Sequence, residues 1–292
     1  IAMSAYGRLW AADTSTNKTS VYFSDLLDGA KWGSGSAGLI NVSGVLPKGS
    51  DVITALGSHN GNLVIFCKNN IVIFKDNDSF QGSFDVNTLQ LVEVLEGVGC
   101  IARDSVQNIG EDMVFLSATG LRSLGRTIQE KSAKMNDLSR NIRDTFIGDV
   151  SRESNLGLIK SCYFPEDAFY VISLPEAAKV YVFDTKQRLE DGSMRITTWN
   201  DLGHADYVYD KTNKQMYVAQ ANGIAEYGQY TDNGVAYTMS YFTNHFDLSL
   251  PNINKMLKRV AVTAIGSTAQ SFVVKAGFDY TTLYYSFPFT IK

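Results

Sequence analysis

Proline is scarce in this 292-residue chain, at five residues, and cysteine and histidine number three each. With 45% hydrophobic residues, so few prolines exclude a disordered or linker-dominated polypeptide, which would lack the apolar surface to build a core. Cys67, Cys100 and Cys162 lie far apart in or beside apolar stretches. An odd number without CxxC spacing argues against a zinc site or a disulfide framework, so they read as buried free thiols. His59, His204 and His245 are isolated, with neither HExxH spacing nor a partner at i+4. Positive charge is not in excess: 26 Lys and Arg stand against 30 Asp and Glu, a formal net charge of −4. That balance disfavours nonspecific adhesion to nucleic-acid phosphate, which Lys and Arg drive by displacing counterions. No run of eighteen apolar residues is present, and Ile1 to Trp10 lacks the basic-then-apolar order of a signal peptide, so no membrane insertion by this segment is expected. Position 1 is Ile and the last residues still read as strand, so a fragment of a longer polypeptide is expected.

What the chain has in quantity is short β-strands. Aromatic residues make up 12%, mostly Tyr and Phe, whose flat rings pack well on a pleated surface. A pattern of apolar strands joined by polar turns recurs five times. Its second strands begin near Val21, Leu63, Val114, Phe169 and Met216, at spacings of 42, 51, 55 and 47 residues. This is the period of a β-propeller blade with loop insertions, and a blade buries its faces only by stacking radially on others. The units read as Gly7–Asp13, Val21–Asp25 and Leu39–Val45; then Val52–Leu56, Leu63–Lys68, Ile71–Lys75 and Leu89–Leu95; then Ser105–Ile109, Asp112–Ser117 and Leu121–Leu124. The fourth holds Leu156–Phe164, Ala168–Leu174, Lys179–Asp184 and Met194–Trp199, and the fifth Ala205–Asp210, Gln215–Gln220, Gly223–Tyr227 and Tyr237–Phe246. Asn60-Gly61 and Asn69-Asn70 are hairpin turns that tolerate positive φ. The expected fold class is all-β: a propeller of about five to six four-stranded blades over residues 1–246. Residues 247–292 follow as a C-terminal β extension or closing blade, with strands Lys258–Ile265, Ser271–Ala276 and Thr282–Phe287.

One stretch departs from the β rhythm. Leu138, Ile142 and Phe146 recur at i, i+4 and i+8, with Asn136 or Asp137 able to cap the start and Gly148 to end it, which predicts a helical insertion at about 136–148 in the third unit. Around it lie Arg122, Arg126, Lys131, Lys134, Arg140 and Arg143 against Glu130, Asp137 and Asp144, the most basic stretch of the chain. It reads either as a solvated helix face or as a contact surface, for a neighbouring subunit or for DNA phosphate.

Several chemical motifs fail on context. Gly33-Ser-Gly35-Ser-Ala-Gly38 matches GxGxxG, but a strand follows where phosphate binding needs a helix N-terminus. Asp76-Asn-Asp78 resembles the start of a calcium loop yet lacks the downstream Gly and Glu, and reads as a turn. A propeller glycosidase needs two facing carboxylates; Asp25, Asp51, Asp104 and Asp206 near strand ends are candidates, although acidic residues are common at turns. The expectation is no catalytic site, no cofactor and no metal.

The order Val21-Tyr-Phe-Ser-Asp25, Trp32, Asp51-Val-Ile-Thr-Ala-Leu56, Leu63-Val-Ile-Phe66 and Asn70-Ile-Val-Ile-Phe74 resembles the propeller region of tail proteins of short-tailed phages. Gly99-Cys-Ile-Ala-Arg-Asp-Ser105, Val114-Phe-Leu-Ser117, Gly120-Leu121 and Leu138-Ser139 with Ile142 are similar to the third blade of that family. The stretch Tyr237 to Val260, with Asp247, Pro251, Lys255 and Lys258-Arg-Val260, is similar to its exit from the propeller. Related families are the tail nozzle protein, or tail tubular protein B, and the packaged-DNA stabilisation protein. The resemblance implies a virion structural protein of the phage tail, assembled in the host cytoplasm as a homo-oligomeric, hexameric ring below the portal and adaptor. Such a ring retains packaged DNA and conducts it during ejection. Its implied partners are tail adaptor and tail fibre proteins, with double-stranded DNA passing through the channel without specific binding. The other reading is a generic propeller interaction or carbohydrate-binding module, a propeller glycosidase being a third.

Overall fold

In the computed structural model the chain divides into two compact units, Ile1–Asn233 and Gly234–Lys292. The residues described are 1–46, 51–76, 86–110, 112–130, 137–200, 204–220, 223–228, 234–235, 238–243, 246, 256, 259, 261, 270–278 and 284–291, without the side chains of 126, 129, 130, 200, 204, 205, 270 and 291.

The first unit is a series of antiparallel meanders laid down in chain order. The first sheet is β1 (Ala2–Ala5), β2 (Arg8–Ala12), β3 (Ser20–Phe23) and β4 (Gly38–Asn41); the second is β5 (Ile53–His59), β6 (Asn62–Cys67), β7 (Asn70–Asp76) and β8 (Leu89–Glu96). The third has three strands, β9 (Gln107–Asn108), β10 (Met113–Ser117) and β11 (Gly120–Ser123). The fourth is β12 (Lys160–Phe164), β13 (Phe169–Leu174), β14 (Lys179–Arg188) and β15 (Met194–Asn200); the fifth is β16 (His204–Asp210), β17 (Gln215–Gln220) and β18 (Gly223–Glu226). Two-residue turns close the tightest hairpins. Asn60 (φ 49°) and Gly61 (φ 73°) both take positive φ, as do Tyr6 (φ 54°) and Gly7 (φ 69°), the geometry that matches strand twist across such a loop.

Side-chain alternation explains how the five sheets are joined through four apolar clusters. In β6 the run Leu63-Val-Ile-Phe-Cys67 is apolar without a break, so it presents apolar side chains to both faces. Leu63, Ile65 and Cys67 pack with Trp10, Val21 and Phe23 of the first sheet, while Val64 and Phe66 pack with Met113 and Phe115 of the third. β10 repeats the device, sending Val114 and Leu116 towards Tyr170, Ile172 and Phe183 of the fourth sheet. The opposite face of the fourth, with Phe169, Val171 and Val182, then packs with Tyr207, Met216 and Val218 of the fifth. The second, third and fourth sheets are therefore covered on both faces. Among the described residues of the first unit, the first and fifth are covered on one, with Leu9 and Leu39 (39% and 55% exposed) in the first and Val208 and Ile224 (60% and 79%) in the fifth.

Several sequence expectations are corrected. Ala2–Ala5 is a strand paired with β2, so Val21 lies in the third strand of its sheet rather than the second. Second strands start at Arg8, Asn62, Met113, Phe169 and Gln215, spacings of 54, 51, 56 and 46 residues. The helix placed at 136–148 is displaced. α1 (Leu124–Glu130) directly continues β11, Arg140–Ile142 is a 3-10 turn, and α2 (Arg143–Val150) runs through Gly148 instead of ending there. Leu138 is held outside the helix because its N–H donates to Leu121 O (2.8 Å) and its carbonyl accepts from the Met194 N–H (2.9 Å), tying the third sheet to the fourth. The strand expected at Tyr237–Phe246 is not strand at its described positions, 238–243 and 246, which fall in the second unit.

Within that second unit, β19 (Gln270–Gly277) and β20 (Tyr284–Ile291) form an antiparallel hairpin. The strand expected at Lys258–Ile265 lies outside the described residues except for Arg259 and Ala261, neither of which is strand.

Candidate functional site

The first strand of every sheet in the first unit contributes to one cavity of about 620 Å³. Ala2 of β1, Ala55 and Leu56 of β5, Gln107 of β9, Lys160 and Ser161 of β12, and Asp206 and Tyr207 of β16 line it, together with Arg103 and Asp104 of the loop before β9. Residues about fifty positions apart in sequence meet here because each meander places its opening strand towards the same point.

The polar groups of the cavity are tied to one another. Arg103 Nε and Nη2 donate to Asp104 Oδ1 and Oδ2 at 2.8 and 3.2 Å, and Lys160 Nζ donates to Asp104 Oδ2. Ser161 Oγ donates to the Asp104 carbonyl (2.6 Å) and Gln107 Nε2 to the Ser161 carbonyl (3.0 Å), stitching the loop before β9 to β12. Burial on its own would raise the Asp104 carboxyl; hydrogen bonds from Arg103 and Lys160 and their charges outweigh it and hold the group below the usual carboxylate range. Asp206 Oδ1 accepts from the Tyr207 N–H (2.8 Å).

Of the four candidate carboxylates, the fold thus brings Asp104 and Asp206 into one cavity and leaves two elsewhere. Asp25 is clasped by the loop that carries the glycine motif: its Oδ1 accepts from Ser36 N–H (2.9 Å), Ser36 Oγ (2.7 Å) and Leu26 N–H (2.9 Å), and Lys31 Nζ lies 3.0 Å from Oδ2. These donors, the Ser36 hydroxyl first, hold its carboxyl far below the ordinary value. Gly35 (φ 72°) passes so close that a Cβ there would stand 2.2 Å from Asp25 Oδ2. The Gly33–Gly38 loop therefore binds its own carboxylate and leads into β4. Asp51 joins strand ends, accepting from Asn69 N–H (3.0 Å) and Asn70 Nδ2 (2.7 Å). Asp76 is buried and accepts from the Thr88 hydroxyl, while Asn77 and Asp78 lie outside the described residues.

The basic segment is not one surface. Arg122 is 3% exposed; its Nε donates to Ser117 Oγ (3.1 Å) and its Nη2 to Thr119 Oγ1 (2.7 Å), so it braces the β10–β11 turn from inside and is withdrawn from any contact face. Arg143 donates to Thr119 O (3.1 Å) and lies 3.5 Å from buried Asp137. Arg140 is exposed. Lys131, Lys134 and the side chain of Arg126 lie outside the described residues. The neighbouring carboxylate that sequence reading missed is Asp149, buried on α2. It accepts from Lys179 Nζ (2.7 Å) and Tyr181 OH (2.5 Å) and pairs with Arg152 (3.2 Å), fixing the helix to β14. Burial pushes its carboxyl up, but those donors leave it below the usual range.

All three cysteines are free and buried. Burial pushes Cys67 up to about 12 and Cys100 and Cys162 up to about 11, which leaves them protonated and unreactive. Among the described residues no group of three or more His, Cys, Asp or Glu could hold a metal ion, and no helix is long and apolar enough to cross a membrane.

Antiparallel sheets stacked in chain order, with their opening strands on one cavity, define a modular, mostly β protein. No family model and no curated protein matches the chain. Among solved structures it is similar to PorZ, a surface component of the type-IX secretion system of Porphyromonas gingivalis, with 13% identity, TM-score 0.38 and coverage of 77% of this chain and 24% of PorZ. It is also similar to Hsv2 of Kluyveromyces marxianus (12% identity, TM-score 0.39, 78% of this chain and 62% of that one) and of Kluyveromyces lactis (10%, 0.39, 80% and 62%). The chain thus spans about a quarter of PorZ and three fifths of either Hsv2. At these identities, and with TM-scores below 0.5, the likenesses assign this chain neither fold nor role.

Proposed function

We propose that the first unit is a β-propeller-type scaffold and that the chain is a structural component of a short-tailed phage tail, of the nozzle or tail tubular protein B kind. The carrying observation is the cavity onto which the opening strands of all five sheets converge, since radial stacking of blades about an axis produces that convergence. The strand motifs that resemble the phage tail propeller lie in the first three of these sheets. In this reading several copies form a ring below the portal and adaptor, retaining packaged DNA and conducting it on ejection, with scaffolds serving as rigid brackets for fibres and adaptor. A net charge of −4 suits a channel along which duplex DNA slides without sticking. Negative-stain imaging of the purified chain tests the assignment: closed rings are expected, and monodisperse single discs overturn it.

A second reading has one observation in its favour, the meeting of Asp104 and Asp206. It makes the cavity a carbohydrate-binding or glycosidase site. Asp104 is held ionised by Arg103 and Lys160, so it cannot serve as the proton donor, which needs a raised pKa. A D104N/D206N variant that loses binding on a glycan array would support this reading over the scaffold.

A further inference from the structure

The first, second and fourth sheets have four strands, and in the third the chain leaves β11 directly into α1. The fifth ends at its third strand, β18, which among the described residues pairs with β17 alone. The Tyr227 N–H donates to the Met216 carbonyl (2.9 Å), and this fixes the alternation along the two strands. Met216 with Tyr227 and Val218 with Ala225 exchange main-chain hydrogen bonds; Tyr217 with Glu226 and Ala219 with Ile224 do not. The N–H and C=O groups of Ile224 and Glu226 therefore point away from β17, along the open edge. Sheet edges are commonly blunted by lysine, proline or a bulge, and β18 has none of these. Its Ile224 is 79% exposed. Beside the edge, Trp199 reaches across from β15, the fourth strand of its own sheet, to stack on Tyr227 at 5.7 Å, and both rings are half-buried.

We propose that this edge takes a fourth strand from another protein: an extended segment with apolar side chains at alternate positions and a lysine or arginine between them. Main-chain pairing with Ile224 and Glu226 would supply the affinity, and the flanking side chains the choice of partner. The fourth sheet shows the pattern. There Phe183 and Asp184 of β14 stand opposite Ile196 and Arg195 of β15, so that an apolar side chain continues the face turned to the third sheet and a cation answers the acid. Ala225 and Glu226 hold the corresponding places in β18. Ala225 shares the face of Val218, which packs against the fourth sheet, and Glu226 is exposed. An apolar side chain opposite Ala225 lies on the side of Trp199 and Tyr227, and a cation opposite Glu226 makes the cross-strand ion pair. Charge also decides against the other occupants. The stretch Tyr237–Phe246, whose position in the sequence rhythm predicts the fourth strand of this sheet, contains no lysine or arginine and is not strand at its described positions. A second copy offering its own β18 brings another Glu226 instead of a cation.

The inference goes beyond the tail reading and requires only the fifth sheet, so the outcome of ring imaging does not bear on it. The test is binding of a synthetic peptide with the sequence of residues 193–200, which carries the β15 pattern, to the full chain by fluorescence anisotropy, with hydrogen exchange read at Ile224 and Glu226. These two amides should exchange freely in the chain alone and become protected when the peptide is added. N-methylation of the peptide at Arg195 and Thr197 removes the donors that face the edge and should weaken binding about tenfold or more, whereas N-methylation at Ile196, whose N–H faces away, should leave it within about twofold. Glu226→Lys should weaken the peptide by about fivefold, and a peptide carrying Arg195→Glu should recover about that factor on the variant. No binding to the wild type, or binding indifferent to N-methylation at Arg195 and Thr197, overturns the inference. So do Ile224 and Glu226 amides already protected in the chain alone: at every concentration, the edge is held by the chain's own segment; only at high concentration, by a second copy.

Discussion

Single residues in this protein are held by neighbours that the linear sequence does not display. Gly35 is required by both its positive φ and the Asp25 carboxylate beside it, so Gly35→Ala should lower stability by about 1–2 kcal/mol in denaturant titration, whereas Gly33→Ala, with open space around it, should be near neutral. The Asp149 carboxylate is kept ionised in the folded state below the range of an unfolded chain. Its contribution is therefore fully present above about pH 4 and is lost as pH falls through the lower folded value. Asp149→Asn should cost about 1–3 kcal/mol at neutral pH, at the lower end because Lys179 and Arg152 keep contact with water, and should flatten the acid limb of the melting-temperature profile. An acid limb identical to wild type would show that Asp149 is not the group responsible. The thiols give a simpler check: Cys67, Cys100 and Cys162 should be inert to a thiol reagent in the native protein and react together on unfolding.

Elements were legible where local signals agreed with the fold. The second sheet is legible to within a few residues, because Asn60-Gly61 is a strong turn signal and Leu63–Cys67 and Ile71–Phe74 are apolar on both faces. The first strand was missed because its turn is Tyr6-Gly7, and tyrosine at positive φ carries no signature. The helix at 136–148 shows the opposite failure. Leu138, Ile142 and Phe146 do lie together in or against one core cluster, but Leu138 reaches it from a turn hydrogen-bonded to two sheets. Only the last turns are helical. Phe146, edge-on to Tyr181 (4.9 Å) and Phe183 (5.7 Å), anchors α2, so Phe146→Ala should destabilise the first unit by about 3–5 kcal/mol. The cavity was legible only in part. Asp104 and Asp206 stand out in the sequence as strand-end carboxylates, but Arg103, Gln107, Lys160 and Ser161 acquire meaning only when opening strands of different sheets converge. Burial of Arg122 had no sequence signal at all. Its withdrawal leaves Arg140 and Arg143 as the described part of the basic segment available for contacts, and R140E/R143E should weaken copy-to-copy assembly if that segment contributes.

At the scale of the whole molecule, the apolar seams among the described residues of the first unit each join sheets adjacent in chain order, which makes stability approximately additive along that series. The second, third and fourth sheets are each clamped by two apolar seams, the first and fifth by one. Opening should accordingly begin at either extremity and travel inward, as in other modular proteins whose cohesion is pairwise. Amides of β6, β10 and β13 should exchange slowest, and those of β18 and β4 should be released first. The five meanders then behave as a graded spring instead of a single latch, able to loosen a terminal module under load while the middle of the series stays shut.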